Sequence, residues 1–246
     1  MMSGFGEAAW AVGIPSTMRI TIKCKRRAMA TTLVGRTDEM KLEPWRAINM
    51  LALRMTFNLK QELASNGFAI VEDVLTDSLV KKLIEEIERA FVRRGNHKGY
   101  GLRQLTKAVP EVLEIAQSQA LRDLVEPVLG TKAFVIQSLF FDKTPDANWN
   151  VAWHQDLMIP VESKVDDPQY GPWSLKDEVW HVQPPPAMLE GILTVRLHLD
   201  DCLEGNGPLR VLPGSHTAGI LTAEKIDKWR RARVRWRAPS KAAVLC

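Results

Sequence analysis

Cysteine is scarce in this chain of 246 residues. The three cysteines, Cys24, Cys202 and Cys246, are far apart and unpatterned. That spacing excludes a disulfide framework and a cysteine-built zinc site, and it fits a reducing compartment. Long hydrophobic runs are missing too. No stretch approaches the roughly eighteen consecutive apolar residues that a membrane span needs. Internal repeats are absent. Histidine is sparse, with five residues, so each can be weighed singly as a metal ligand.

What is present is ordinary for a globular domain: 46% hydrophobic and 25% charged residues. The length allows one large domain or two small ones with a real core. The net charge of +4 is unevenly placed. Residues 1–55 hold 9 Lys/Arg against 4 Asp/Glu, residues 56–224 hold 16 against 24, and residues 225–246 hold 8 against 1. An acidic body therefore lies between two basic ends. The stretch Lys228-Trp229-Arg230-Arg231-Ala232-Arg233-Val234-Arg235-Trp236-Arg237 could contact nucleic-acid phosphates and stack on bases. A solvated helix end or a tail outside the fold is the favoured reading of such a run, so nucleic acid is not the expected partner.

Residues 1–55 mix apolar and basic residues without clean periodicity and read as a poorly ordered extension. The stretch 18–36 is basic and acid-free, as transit peptides are. The simpler alternative is a natural start at Met55 and a cytoplasmic protein. From Phe57 the pattern sharpens. Leu59, Leu63 and Ala64 predict a helix stopped by Asn66-Gly67. Phe68 to Val71 reads as a short strand. Thr76 or Asp77 can cap a helix whose stripe is Leu79, Val80, Leu83, Ile84, Ile87 and Phe91. Residues 110–129 predict two helices parted near Ser118 and ended by Gly130. Strands follow at 133–142 and 192–200. The second alternates Leu193, Val195, Leu197 and Leu199 against Thr194, Arg196, His198 and Asp200. Residues 157–190, rich in proline and carrying Trp173 and Trp180, read as a long lid without regular structure. Asn206-Gly207 predicts a tight turn into Leu209 to Leu212. Helices first and strands later give an α+β class with a sandwich or jelly roll.

The chemistry centres on Trp153-His154-Gln155-Asp156. On an extended segment, side chains alternate, so His154 and Asp156 share one face. An imidazole and a carboxylate so placed are two of the three ligands of the facial triad that holds non-haem Fe(II). His198-Leu199-Asp200 repeats the triplet on an internal strand. Together with Leu199-Asp200-Asp201 and Asn206-Gly207-Pro208-Leu209-Arg210-Val211-Leu212-Pro213-Gly214-Ser215-His216, the first triplet closely resembles the phytanoyl-CoA dioxygenase family. The likeness runs from about Phe57 to about Ile226.

The resemblance implies an Fe(II)- and 2-oxoglutarate-dependent oxygenase that uses molecular oxygen on a small or lipid-like substrate. It implies a double-stranded β-helix, the cupin-like jelly roll, with N-terminal helices packed on the sheet. By position, His154 and Asp156 would ligate iron, and Gln137, Lys143, Thr194 and Arg196 would lie near co-substrate or substrate. The family's distal histidine and following arginine have no counterpart, since no histidine follows His216. The chain therefore reads as truncated, with its last strands missing, residues 227–246 a divergent basic tail, and activity in doubt. His216 is the best substitute ligand by position, although a structural role suits it better. His181 in the lid and His97 in a Gly-flanked loop read as bystanders. Lost strands would expose sheet edges and invite self-association.

Overall fold

The computed structural model describes residues 17–24, 58–95, 101–142, 151–200, 209–232, 236–237 and 242–245. A first helix, α1, covers 58–66. Gly67 closes it at φ +81°, its amide donating to Leu63 O at 2.9 Å. Strand β2 (Ala69–Glu72) follows, then α2 (Asp77–Arg93). Thr76 is the cap of α2: its hydroxyl accepts from Leu79 N at 3.4 Å. The stripe of α2 buries Leu83, Ile87, Ala90 and Phe91. Strand β3 (Gly101–Arg103) and helices α3 (Leu105–Ala108), α4 (Pro110–Gln117) and α5 (Gln119–Leu129) come next. Ser118 parts α4 from α5, and Gly130 ends α5 at φ +81°.

The main sheet has six strands in the order β2-β11-β8-β1-β4-β3, every neighbouring pair antiparallel. Here β1 is Thr17–Cys24, β4 is Ala133–Phe141, β8 is Ile192–His198 and β11 is Ala242–Leu245. Leu193, Val195 and Leu197 of β8 join Leu83, Ile87, Leu105, Val112 and Leu121 of the helices in one core. Phe91 of α2 meets Phe140 of β4 with ring centroids 5.9 Å apart. Buried Ser138 is satisfied by accepting from Thr106 N at 2.9 Å, which fixes α3 on β4.

Three expectations meet a different arrangement. The 1–55 extension contributes β1, hydrogen-bonded between β8 and β4 in the interior of the main sheet. The basic tail contributes β11, paired with both β2 and β8, and β10 (Trp236–Arg237), paired with β9 (Arg210–Val211). The lid is not irregular. It contains β5 (Ile159–Val161), β6 (Trp173–Lys176) and β7 (Val179–Val182) in a three-stranded antiparallel sheet, then α6 (Pro186–Leu189). Asp177 and Glu178, at φ +49° and +62°, make the two-residue turn from β6 to β7. A type I′ turn needs positive φ at both places. Asp177 Oδ2 also meets Arg103 Nε at 3.1 Å, tying the hairpin to β3. Lys164 Nζ lies 4.0 Å from the centre of the Trp180 ring, folding the preceding loop onto the small sheet. The Asn206-Gly207 turn and His97 lie outside the described residues. Among those described, no helix is long and apolar enough to cross a membrane. Helix α7 (Ala223–Ala232) completes the elements.

Gly67 needs glycine twice over. Its φ is positive, and an added Cβ would clash with the His216 ring at Nδ1 and Cγ. Gly130 has the same φ with nothing within 4 Å. Chemical denaturation should therefore show Gly130→Ala, at φ +81° and ψ 169°, costing about 1–3 kcal/mol of backbone strain alone, and Gly67→Ala costing about 1–3 kcal/mol more through its clash with the His216 ring. Equal losses would contradict the close approach of His216.

Candidate functional site

His154, Gln155 and Asp156 lie in an irregular segment that leads into β5, not in a ladder strand. The alternation expected of extended chain is nevertheless there. His154 and Asp156 are 57% and 53% exposed, while Gln155 between them is half-buried. His154 Nε2 lies 3.7 Å from Asp156 Oδ1. That is too wide for a hydrogen bond. It is narrow enough for one cation to touch both atoms at metal–ligand distances of about 2.0–2.2 Å.

The imidazole is oriented by its other nitrogen. His154 Nδ1 is 2.8 Å from Ala152 O. A carbonyl only accepts, so Nδ1 carries a proton, and in the neutral ring Nε2 is then the nitrogen with the lone pair. Metal-binding histidines are commonly set in this way, with the second N–H donated to a carbonyl. The residues present thus suit a divalent metal.

Gln155 points its amide the other way, into the segment after the 3₁₀ turn Ser215–Ala218. Its Nε2 donates to Gly219 O at 2.9 Å and its Oε1 accepts from Leu221 N at 2.7 Å. The same segment is fixed at its other end to α1. Gly214 N donates to Asn66 O at 2.8 Å, and His216 Nε2 donates to Ala64 O at 3.1 Å.

His216 therefore closes a packing contact on α1 and Gly67. Among the described residues no group of three or more His, Cys, Asp and Glu is arranged to hold a metal ion, so His216 is not gathered to the His154–Asp156 pair.

Gln137, Thr194 and Arg196 are placed by strand register. Thr21 of β1 is paired with Thr194 of β8 on one side and with Gln137 of β4 on the other. Directly opposed residues project from the same face, so Gln137 and Thr194 share one face and one level of the sheet. Arg196, two residues on, shares it too. This is the face opposite the leucines, and it is covered: Thr194 and His198 are both buried. Lys143 lies outside the described residues.

His198, which the strand alternation set on a face that could line the cavity, lies on this face and is buried. Among the described residues, neither of its ring nitrogens has a hydrogen-bond partner. Burial, helped by the Arg196 guanidinium, lowers its pKa to about 4. Its signal in the sequence was the alternation itself, which set it beside Thr194 and Arg196. His181 of β7, expected as a bystander, is also buried. Burial holds its pKa down, against a hydrogen bond to Val179 O at 3.0 Å that raises it.

With a metal-suited pair and a covered polar sheet face both described, comparison with known proteins becomes informative. A sequence model of the family described as phytanoyl-CoA dioxygenase matches residues 63–244. The chain belongs to the phytanoyl-CoA dioxygenase family. It is similar to ectoine dioxygenases of Bordetella parapertussis and Bordetella bronchiseptica, each 25% identical over 168 residues. The match covers 63% of this chain and 48% of each relative, so the chain spans about half the length of the curated relatives it matches. No solved structure matches significantly. The matched range extends past about Ile226, where the likeness read from the sequence ended, and takes in α7, β10 and most of β11.

The depressed pKa of His198 has a definite sign. The unfolded ring gains its proton below about 6.5, the folded ring only near 4. Stability is whole above the first value and is lost as pH falls toward the second, by up to roughly 3 kcal/mol. Thermal melts between those pH values should decline in the parent chain more steeply than in His198→Leu. Parallel declines would show that His198 is not held neutral by burial.

Proposed function

We propose that this chain is built as an Fe(II)- and 2-oxoglutarate-dependent dioxygenase, a hydroxylase of a small or lipid-like molecule, on a double-stranded β-helix. The observation that carries the reading is the His154–Asp156 pair, with Nδ1 tied to Ala152 O and Nε2 turned toward Asp156. Iron bound there with 2-oxoglutarate and molecular oxygen would supply C–H oxidation, with succinate and carbon dioxide as co-products.

The chain's own residues supply position and shelter. His154 and Asp156 hold the metal. Arg196 offers a planar cation suited to a carboxylate, with Thr194 and Gln137 on the same face as hydrogen-bonding groups. The small sheet is tied to the main one by Arg103–Asp177 and by β5 beside β4, a placement suited to sheltering that side. The relatives' name supports a small-molecule substrate. A cytoplasmic setting goes with this reading, and self-association, if it occurs, would use β2 or β3, the outer strands of the main sheet.

A second reading, a non-catalytic protein that keeps the fold, is favoured by one observation: the described residues bring together two ligand groups where a triad needs three. The two separate experimentally. Anaerobic Fe(II) titration with 2-oxoglutarate should give one metal per chain, and His154→Ala or Asp156→Ala, each removing a ligand, should abolish it. Admission of oxygen should then yield succinate. Metal uptake without succinate would establish the non-catalytic reading, and uptake unchanged by either substitution would refute the site.

A further inference from the structure

The middle residue of the triplet is neither of the positions that would hold metal, yet its side chain makes two long-range hydrogen bonds. Gln155 reaches residues 64 and 66 positions away, and it uses both ends of its amide to do so. Nε2 donates to Gly219 O at 2.9 Å and Oε1 accepts from Leu221 N at 2.7 Å. A two-point contact to a backbone fixes direction as well as distance, which a single hydrogen bond does not. We infer that Gln155 is a positioning residue that sets the His154–Asp156 geometry by clamping the triplet to the Gly219–Leu221 backbone. The inference rests on the metal-holding reading of that pair.

Three observations support the role. The triplet lies in no strand ladder, so no sheet hydrogen bonds fix its backbone. His154 and Asp156 are more than half exposed, so little of either side chain is packed against neighbours. The clamp's far end, in contrast, is anchored: Gly219 and Leu221 continue from the turn that His216 and Gly214 bind to α1. The path runs from the end of α1 through His216 and Gly214 to Gly219 and Leu221, then through the Gln155 amide to the metal pair. Gln155 is the link that a side-chain change can cut without touching a ligand. Removal of such outer partners typically costs about 10–100-fold in metal affinity.

The test is Mn(II) alone, titrated into the full chain and followed by the electron paramagnetic resonance signal of the free ion. Thermal melts of the metal-free proteins are run in parallel. Gln155→Leu, which keeps bulk and loses both hydrogen bonds, should bind Mn(II) about 10–100-fold more weakly while melting within a few degrees of the parent. Gln155→Glu keeps the acceptor for Leu221 N and loses the donor to Gly219 O, so it should fall between the two. His154→Ala should abolish binding. If Gln155→Leu does not fold, the ratio of Gln155→Glu to the parent decides. Parent-like affinity in the folded Gln155 variants, with His154→Ala inactive in binding, overturns the clamp and leaves the metal site standing. Parent-like affinity in His154→Ala, or no Mn(II) uptake by the parent, overturns both.

Discussion

The strand β8 must bury Leu193, Val195 and Leu197, and the rest of the architecture follows from that requirement. These three side chains are at most 4% exposed. Helices α2, α4 and α5 supply the opposing apolar stripes, and each carries residues of the same core. Strict alternation along a strand then leaves no choice about the other face. Thr194, Arg196 and His198 must point away from the helices, and Thr194 and His198 are buried there. A polar face under cover is costly unless it has partners or a ligand to meet. His198 shows the cost directly, with two nitrogens unpartnered among the described residues and a ring held neutral.

The candidate metal pair stands apart from that core, in a segment whose position is set by hydrogen bonds more than by burial. The α1 terminus, the Gly214–Leu221 segment and the triplet form one connected series of backbone and amide contacts. Gly67 belongs to it because the His216 ring occupies the space a Cβ would need. Such an arrangement separates two tasks. The apolar core secures the sheet, and a short polar series places the exposed ligands.

Much of the helical half was legible because its signals are local. Thr76, Gly67, Ser118 and Gly130 each mark a boundary by cap or glycine chemistry, and the structure keeps those boundaries. The His154–Asp156 pairing was legible from period-two alternation, even though the segment is not a ladder strand. The lid hairpin was hidden because its turn is Asp177-Glu178, with no glycine or asparagine to advertise positive φ. The strands β1 and β11 were hidden for another reason. Pairing with β8 is a long-range contact, and flanking basic residues mask a strand of four or eight residues from any local reading. His216 was visible as a residue but not as a contact, since its partners Ala64 and Gly67 lie about 150 positions earlier.

The account stands or falls on whether one divalent metal sits on His154. Long-range proton–nitrogen spectra of the histidine rings, recorded as Mn(II) is added, read this most directly. The account predicts an Nδ1-protonated His154 whose ring signals broaden beyond detection at one equivalent, while His216 keeps its Nε2-protonated pattern. Broadening of His216 before His154, or of no ring at all, would contradict it.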